Sequence, residues 1–356
     1  MSVLPAIGLE GHIAARMPPI IDQLPPSPAG KKGWPWTEGS PQLSDTMPNG
    51  RPWPRITIVT PSYNQGRFIE ETIRSVLLQG YPNLEYIIMD GGSTDNSVEI
   101  IKKYQPWLTY WISEKDRGQA HAVNKGWRRA TGEILGWLNS DDFYLPGALA
   151  KVAEAKALYG ARGLIYGDAQ VADENSIIRN GVKRMEGYSL IRLLREFTMP
   201  QPAVFVTSGF AAKIGFLNDK HRYALDYDFF LRAWTNDATK GFIYIPRIIA
   251  VSREHGNTKS AQSLAKGEIA FILENVQVLQ NWRRLHQSKL RQEGHLRDAL
   301  AVALFRQSRF LSRVGATIPS IRWLFEALAL SPLVCLRRIY DGVLFRCCQR
   351  RVGRRL

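Results

Sequence analysis

Ile56-Thr57-Ile58-Val59-Thr60-Pro61-Ser62-Tyr63-Asn64 is the stretch from which the fold is read. Its first five residues are all β-branched, which suits a strand buried on both faces, with Pro61 at its end. Phe68, Ile69, Thr72, Ile73, Val76 and Leu77 follow at helical spacing, and Gly80 with Pro82 stops that helix. Leu84 to Met89 makes a second buried strand that closes on Asp90. Ser93, Thr94 and Asp95 suit the cap of a helix running to about Tyr104. Two strand–helix units in succession predict a parallel, doubly wound sheet.

Further along, Gln119 to Ala130 has helical spacing and stops at Gly132. Glu133 to Leu138 then makes a strand that runs straight into Asn139-Ser140-Asp141-Asp142, and Pro146 opens another helix. Short strands with turn signals from Leu164 to Ile178 predict a mixed-sheet region. Ala203 to Val206 and Phe242 to Ile245 add strands, Tyr227 to Trp234 a helix, and after about Ala261 the pattern is helical. The expected organisation is a Pro-rich lead-in over 1–54, an α/β domain over 55–260 and a helical, basic extension over 261–356. In the lead-in, tryptophans such as Trp34, Trp36 and Trp53 are the groups expected to pin it to the domain.

At 356 residues and 22% charged residues the chain is an ordinary globular one, with a core large enough to need no staples. Its three cysteines, Cys335, Cys347 and Cys348, are odd in number and two are adjacent, which fits a reducing cytoplasm. Neither a signal peptide nor a run of about 20 apolar residues is read. The net charge of +15 is concentrated: Asn281 to Leu356 holds sixteen Lys and Arg against four Asp and Glu. The basicity therefore belongs to one segment, and no specific nucleic-acid partner is expected from it.

In open α/β sheets ligands bind beyond the carboxyl ends of the strands. Three strands here end in polar groups, at Thr60, at Asp90 and at Asn139. Adjacent acids at such a place are costly unless they bind something positive or stay wet. Asp141 and Asp142 thus fit a site where protein and diphosphate share a divalent metal, Mn²⁺ or Mg²⁺. A helix N-cap ahead of Pro146 explains Asp142 as well, and the residues alone leave both readings open.

Thr60-Pro61-Ser62-Tyr63-Asn64, Ile69 to Gln79, Asp90-Gly91-Gly92-Ser93-Thr94-Asp95 and Trp137 to Asp142, in that order and spacing, resemble glycosyltransferase family 2 of the GT-A fold. The resemblance spans about Arg55 to Ser260. It implies a Rossmann-like, mostly parallel sheet flanked by helices, with a mixed-sheet acceptor half and the helical extension behind it. It also implies an inverting transferase that takes its sugar from a nucleotide-sugar, a UDP-sugar being favoured.

Carried over residue by residue, the resemblance places Thr60, Pro61, Tyr63 and Asn64 beside the nucleotide, and Asp90 and Asp95 in the motif that holds its base. Gln119, Asn124 and Lys125 match the segment over the donor's sugar and phosphates. Asn139-Ser140-Asp141 stands at the Asp-x-Asp position, with Asn139 where an acid is usual, so metal binding falls to Asp141 or Asp142, and which of them is left open. His255 matches a late position near the diphosphate. Asp226 matches the catalytic acid, although Leu225 stands where a Glu usually precedes it. Gln201-Pro202 suits either the acceptor pocket or a turn before the next strand.

The implied acceptor is a glycan or lipid-linked hydroxyl in cell-surface polysaccharide synthesis. The stretch Ile318 to Val343, with the arginines after it, predicts a basic amphipathic helix. It would either hold a cytoplasmic enzyme at the inner face of the plasma membrane, each Lys or Arg adding about 1 kcal/mol, or pack on the catalytic domain with its basic face in solvent, and the residues leave both open. Two other readings compete. A processive polysaccharide synthase would carry Gln-x-x-Arg-Trp, but Gln280-Asn281-Trp282-Arg283 has the wrong order. Asn139 and Leu225 also admit a non-catalytic protein, and the basic tail a nucleic-acid-binding one.

Overall fold

The computed structural model of the chain describes residues 17–160, 162–196, 199–236, 241–265, 269–313 and 315–339. The chain divides into two compact units: Met1–Gly187 with Pro200–His255, and Tyr188–Met199 with Gly256–Leu356. The first unit runs to His255, and Tyr188–Met199 groups with the second.

In the first unit β1 (Ile56–Ser62) leads to α1 (Ile69–Leu77), and β2 (Leu84–Asp90) to α2 (Ser97–Tyr104). Next come β3 (Tyr110–Ser113), α3 (Gln119–Arg129), β4 (Ile134–Trp137), the short β5 (Phe143–Tyr144) and α4 (Ala148–Tyr159). β6 (Leu164–Ala172) and β7 (Ile178–Lys183) follow. The chain passes through α5 (Leu190–Glu196) of the second unit before β8 (Val204–Thr207), α6 (Ser208–Ile214), α7 (Leu225–Thr235) and β9 (Ile243–Arg253).

Among the described residues nine strands form one sheet, ordered β3-β2-β1-β4-β8-β6-β9-β5, with β7 added on β6. β3, β2, β1 and β4 are parallel. β8 runs against both β4 and β6, and β9 runs with β6. The carboxyl ends of β1, β2, β3, β4, β6 and β9 therefore all face one edge, where ligands of such sheets bind. β1 runs past the β-branched stretch because Ser62 stays in register with Asp90 and accepts the Gly91 N–H at 2.8 Å. All seven of its residues are buried, as expected for a strand covered on both faces.

Residues 17–54 contain a single 3₁₀ turn, Ile21–Gln23, and otherwise irregular chain tied down by side chains. Trp34 Nε1 donates to the Tyr144 carbonyl at 2.8 Å. Arg74 of α1, buried, donates to the carbonyls of Pro25, Pro35 and Trp36 at 2.8, 2.9 and 2.9 Å.

The second unit holds α5, α8 (Lys259–Ala265), α9 (Ala270–Leu285), α10 (Gln287–Gln292), α11 (Gly294–Arg313) and α12 (Thr317–Leu330), and 332–339 is again helical. Leu193 and Leu194 of α5 are buried, and α5 packs on α11, which is the physical reason that this segment joins the helical unit. Among the described residues no helix is long and apolar enough to cross a membrane. The end of the expected amphipathic helix and the last five arginines lie outside the described residues.

Candidate functional site

Three loops leave the carboxyl edge and lock onto one another. Asn64, at φ 52°, donates its N–H to Ser93 Oγ and accepts the Thr94 N–H, each at 2.8 Å. Asp90 is buried and its carboxylate is consumed by its own turn and by the end of β3. It accepts the Gly92 and Ser93 N–H groups at 3.1 and 2.9 Å and the Ser93 and Ser113 hydroxyls at 2.5 and 2.6 Å. Asp95 accepts the Gly66 N–H at 2.8 Å and the Ser97 hydroxyl at 2.5 Å. Partial burial opposes the charge of Asp95, yet those bonds outweigh it and hold its carboxyl below the ordinary range. Thr60 is fully buried with its hydroxyl against Tyr86 at 3.1 Å, Pro61 is buried within β1, and Tyr63 is exposed.

The Asn139–Asp142 turn divides its labour. Asn139 accepts a 2.6 Å bond from Gln119 Nε2, at the start of α3, and donates to Asp142 at 3.3 Å. Ser140 is buried between them. Asp142 faces inward and accepts the backbone N–H of Arg253 at 2.8 Å. Burial and the neighbouring Asp141 charge push its carboxyl well up, against the pull of Arg253. The N-cap alternative does not hold, since α4 starts at Ala148 with Gly147 as its cap. Asp141 points the other way: its Oδ2 lies 3.1 Å from His255 Nε2, just beyond β9. His255 is 1% exposed at its side chain and Asp141 18%. Its ring rests on Phe68 at 4.5 Å between centroids, and its buried Nδ1 has no partner among the described residues.

The spacing of the Asp141–His255 pair matches two neighbouring positions of an octahedral divalent ion. Ligands about 2.1 Å from such an ion, at right angles, stand about 3.0 Å apart. The observed 3.1 Å fits, one oxygen and one imidazole nitrogen suit Mn²⁺, and substrate phosphates and water would supply the remaining positions. Among the described residues no group of three or more such side chains gathers.

Arg253 was not foreseen. Its guanidinium is buried between Phe68 and Phe143, 4.7 and 5.4 Å from their centroids, and pairs with the buried Glu71 at 3.0 Å. The signal was available: Arg253 and His255 are two residues apart at the end of an apolar strand, so they share a face.

Other expected donor-side residues have protein partners. Both ends of the Asn124 amide are held by the Leu217 backbone, at 2.7 and 3.0 Å, and Lys125 is paired with Glu114. Asp226 sits in the first turn of α7 and accepts the Tyr227 N–H at 2.8 Å. One turn on, along the same face, Phe229 and Phe230 pack on Trp137 at 6.0 and 6.2 Å. α7 thus runs beside the end of β4, two residues before Asn139. Gln201 donates to the Trp137 carbonyl at 2.7 Å from the start of β8, at the same edge.

A mixed sheet with these loops at its carboxyl edge is the GT-A fold. Residues 1–349 of Staphylococcus aureus TarS, solved with UDP-GlcNAc, superimpose with a TM-score of 0.60 over 79% of this chain and 82% of that one. Identity is 17%, so the likeness is one of fold. The family model of Glycosyl transferase family 2 matches residues 57–219. An uncharacterised glycosyltransferase of Mycobacterium tuberculosis is 32% identical over 51% of this chain and 69% of its own length. A PGL/p-HBAD biosynthesis glycosyltransferase of Mycobacterium bovis is 30% identical over 52% and 72%. The chain belongs to glycosyltransferase family 2 and is a glycosyltransferase.

Proposed function

We propose that this glycosyltransferase moves a sugar from a nucleotide-sugar, with inversion, to a hydroxyl of a glycan or lipid-linked acceptor in cell-surface polysaccharide synthesis. The observation that carries the reading is the Asp141–His255 pair, ligand atoms 3.1 Å apart at the carboxyl edge beside the Asn64, Asp90 and Asp95 loops. The nucleotide-sugar in the TarS complex and the biosynthetic role in the mycobacterial relative's name support the same substrate classes.

In this reading Asp90 and Asp95 shape the nucleotide pocket by holding their loops. Gln119 keeps Asn139 turned toward Asp142, which in turn fixes Arg253 and leaves Asp141 as the acid free to reach outward. Asp141 and His255 hold a divalent ion, which when bound neutralises charge on the departing diphosphate. Asp226 takes the proton of the acceptor hydroxyl as its oxygen bonds the anomeric carbon and the bond to the diphosphate breaks. The enzyme's place, on this reading, is the cytoplasmic face of the membrane.

The test is a panel of nucleotide-sugars with and without Mn²⁺, scored by thermal stabilisation, with UDP-sugars expected to rank first. Asp141→Asn is expected to lose the metal-dependent part of that stabilisation. Asp226→Asn is expected to keep it while transfer falls about 10²–10⁴-fold. Stabilisation by no nucleotide-sugar, or native transfer rates in Asp226→Asn, would sink the reading.

A further inference from the structure

α12 is apolar on two sides, and α11 covers only one of them. Ser320, Trp323 and Ala327 are buried, and Ser308 of α11 and Ser320 exchange hydroxyl-to-carbonyl bonds at 2.8 and 2.9 Å. On the other side Ile318, Ile321 and Phe325, at i, i+3 and i+7, are 83%, 48% and 65% exposed. The helix at 332–339 continues the pattern, with Leu333 82% and Leu336 55% exposed. Six of the fourteen exposed large apolar side chains among the described residues fall between Ile318 and Ile339, a concentration in one short stretch of the chain.

Basic groups surround it. Arg322, Arg337 and Arg338 are exposed among the apolar positions. Arg283, Arg291 and Arg297 line a cleft of about 310 Å³, closed on its apolar side by Leu290 and by Leu330 at the end of α12. Arg283 is paired with Glu326 at 3.2 Å, whereas Arg291 and Arg297 have no carboxylate partner among the described residues. Five more arginines, Arg346, Arg350, Arg351, Arg354 and Arg355, follow in the sequence.

The two features together select the occupant. A second copy brought onto this face would set arginine against arginine. Duplex nucleic acid would satisfy the charge but leave exposed Phe and Leu against phosphates. The boundary between anionic headgroups and acyl chains satisfies both at once.

We propose that this face of the helical unit seats on a bilayer containing anionic phospholipid. Ile318, Ile321, Phe325 and Leu333 enter the headgroup–acyl boundary, and the Arg283–Arg291–Arg297 cleft takes a lipid phosphate. Trp323 turns inward, and Ile318 and Phe325 share the outer face with Ile321. The inference deepens the reading of a lipid-linked acceptor. It is measured without any nucleotide-sugar, so its failure and that of the donor chemistry are distinguishable.

The test is co-sedimentation of the full chain with phosphatidylcholine vesicles, with and without phosphatidylglycerol, at low and high salt. Binding is expected only with phosphatidylglycerol, weakening as salt rises. The double variant Phe325→Glu with Leu333→Glu is expected to abolish it. Arg291→Ala and Arg297→Ala each weaken it about fivefold. All four side chains are exposed, so an unchanged unfolding midpoint is expected to accompany each loss. Equal binding to both vesicle types, or native binding by the Glu variant, overturns the proposal. So does a chain that dimerises or binds DNA through this face while ignoring vesicles.

Discussion

Arg253 carries its charge inside the protein, with its side chain 1% exposed and Glu71, at 6%, as its counter-ion. Removing one partner of a buried pair leaves the other charge uncompensated, which costs about 3–5 kcal/mol. Arg253→Met is therefore expected to lose that much in urea unfolding, and adding Glu71→Met to recover most of it. A double variant no better than the single one would show that the pair is not coupled.

At the same scale Asp95 sets a pH dependence. Its folded carboxyl is depressed, so its contribution is fully present above the unfolded value of about 3.9 and is lost as pH falls through the folded one. The stability advantage of the native chain over Asp95→Asn is expected to be constant near neutrality and to shrink below about pH 4. Measuring unfolding midpoints of both across acid pH checks this. Asp90, Asp141 and Asp142 were legible as polar groups at strand ends, Asp95 as a helix-capping group, and His255 only through the family resemblance. Which carboxylate is spent on the protein was not, because inward and outward acids differ only in the partners that distant segments bring.

Elements meet where the sequence left out a side chain. Gly126 lies within α3, and a Cβ there would stand 2.5 Å from Val59 Cγ1 of β1. Only glycine lets this helix approach the strand so closely, and the same helix begins with Gln119, which braces Asn139. Gly126→Ala would regain about 1 kcal/mol of helix propensity but incur about 1–3 kcal/mol of overpacking. A net loss is expected. Pairing it with Val59→Ala should show favourable coupling of about 1 kcal/mol in a double-mutant cycle. The alternation of strands and helices from Ile56 to Trp137 was legible apart from β3, because burial on both faces forces continuous β-branched runs and crossover helices force their own spacing, whereas β3 is only half-buried. Of the later strands, β6 and β7 were read as a mixed region and β8 and β9 as separate strands, and the pairing among them was not legible. Their pairing joins residues far apart in sequence, such as Tyr166 with Val204 and Ile165 with Ile243.

For the whole molecule the lead-in belongs to the fold. Arg74 draws carbonyls of Pro25, Pro35 and Trp36 onto α1 and also donates to the Tyr104 hydroxyl at 3.1 Å. Arg74→Met strands those acceptors in a buried site, each costing about 1–3 kcal/mol when left unsatisfied. The expected outcome is a lower unfolding midpoint and new protease cuts between residues 17 and 54, with the α/β core resisting digestion longer. Simultaneous loss of both regions would show instead that lead-in and core open as one.

By itself the sequence determined the class of the protein. A parallel α/β core, polar strand ends in a fixed order, and the Asn139-Ser140-Asp141-Asp142 turn are local patterns, and local patterns are written in neighbouring residues. Only the tertiary structure decided how the acids share their work. Asp142 turns inward to Arg253 and Asp141 outward to His255, contacts spanning more than a hundred residues. It decided equally that α12 keeps one apolar face uncovered, since burial is a property of what packs against a helix and not of the helix alone.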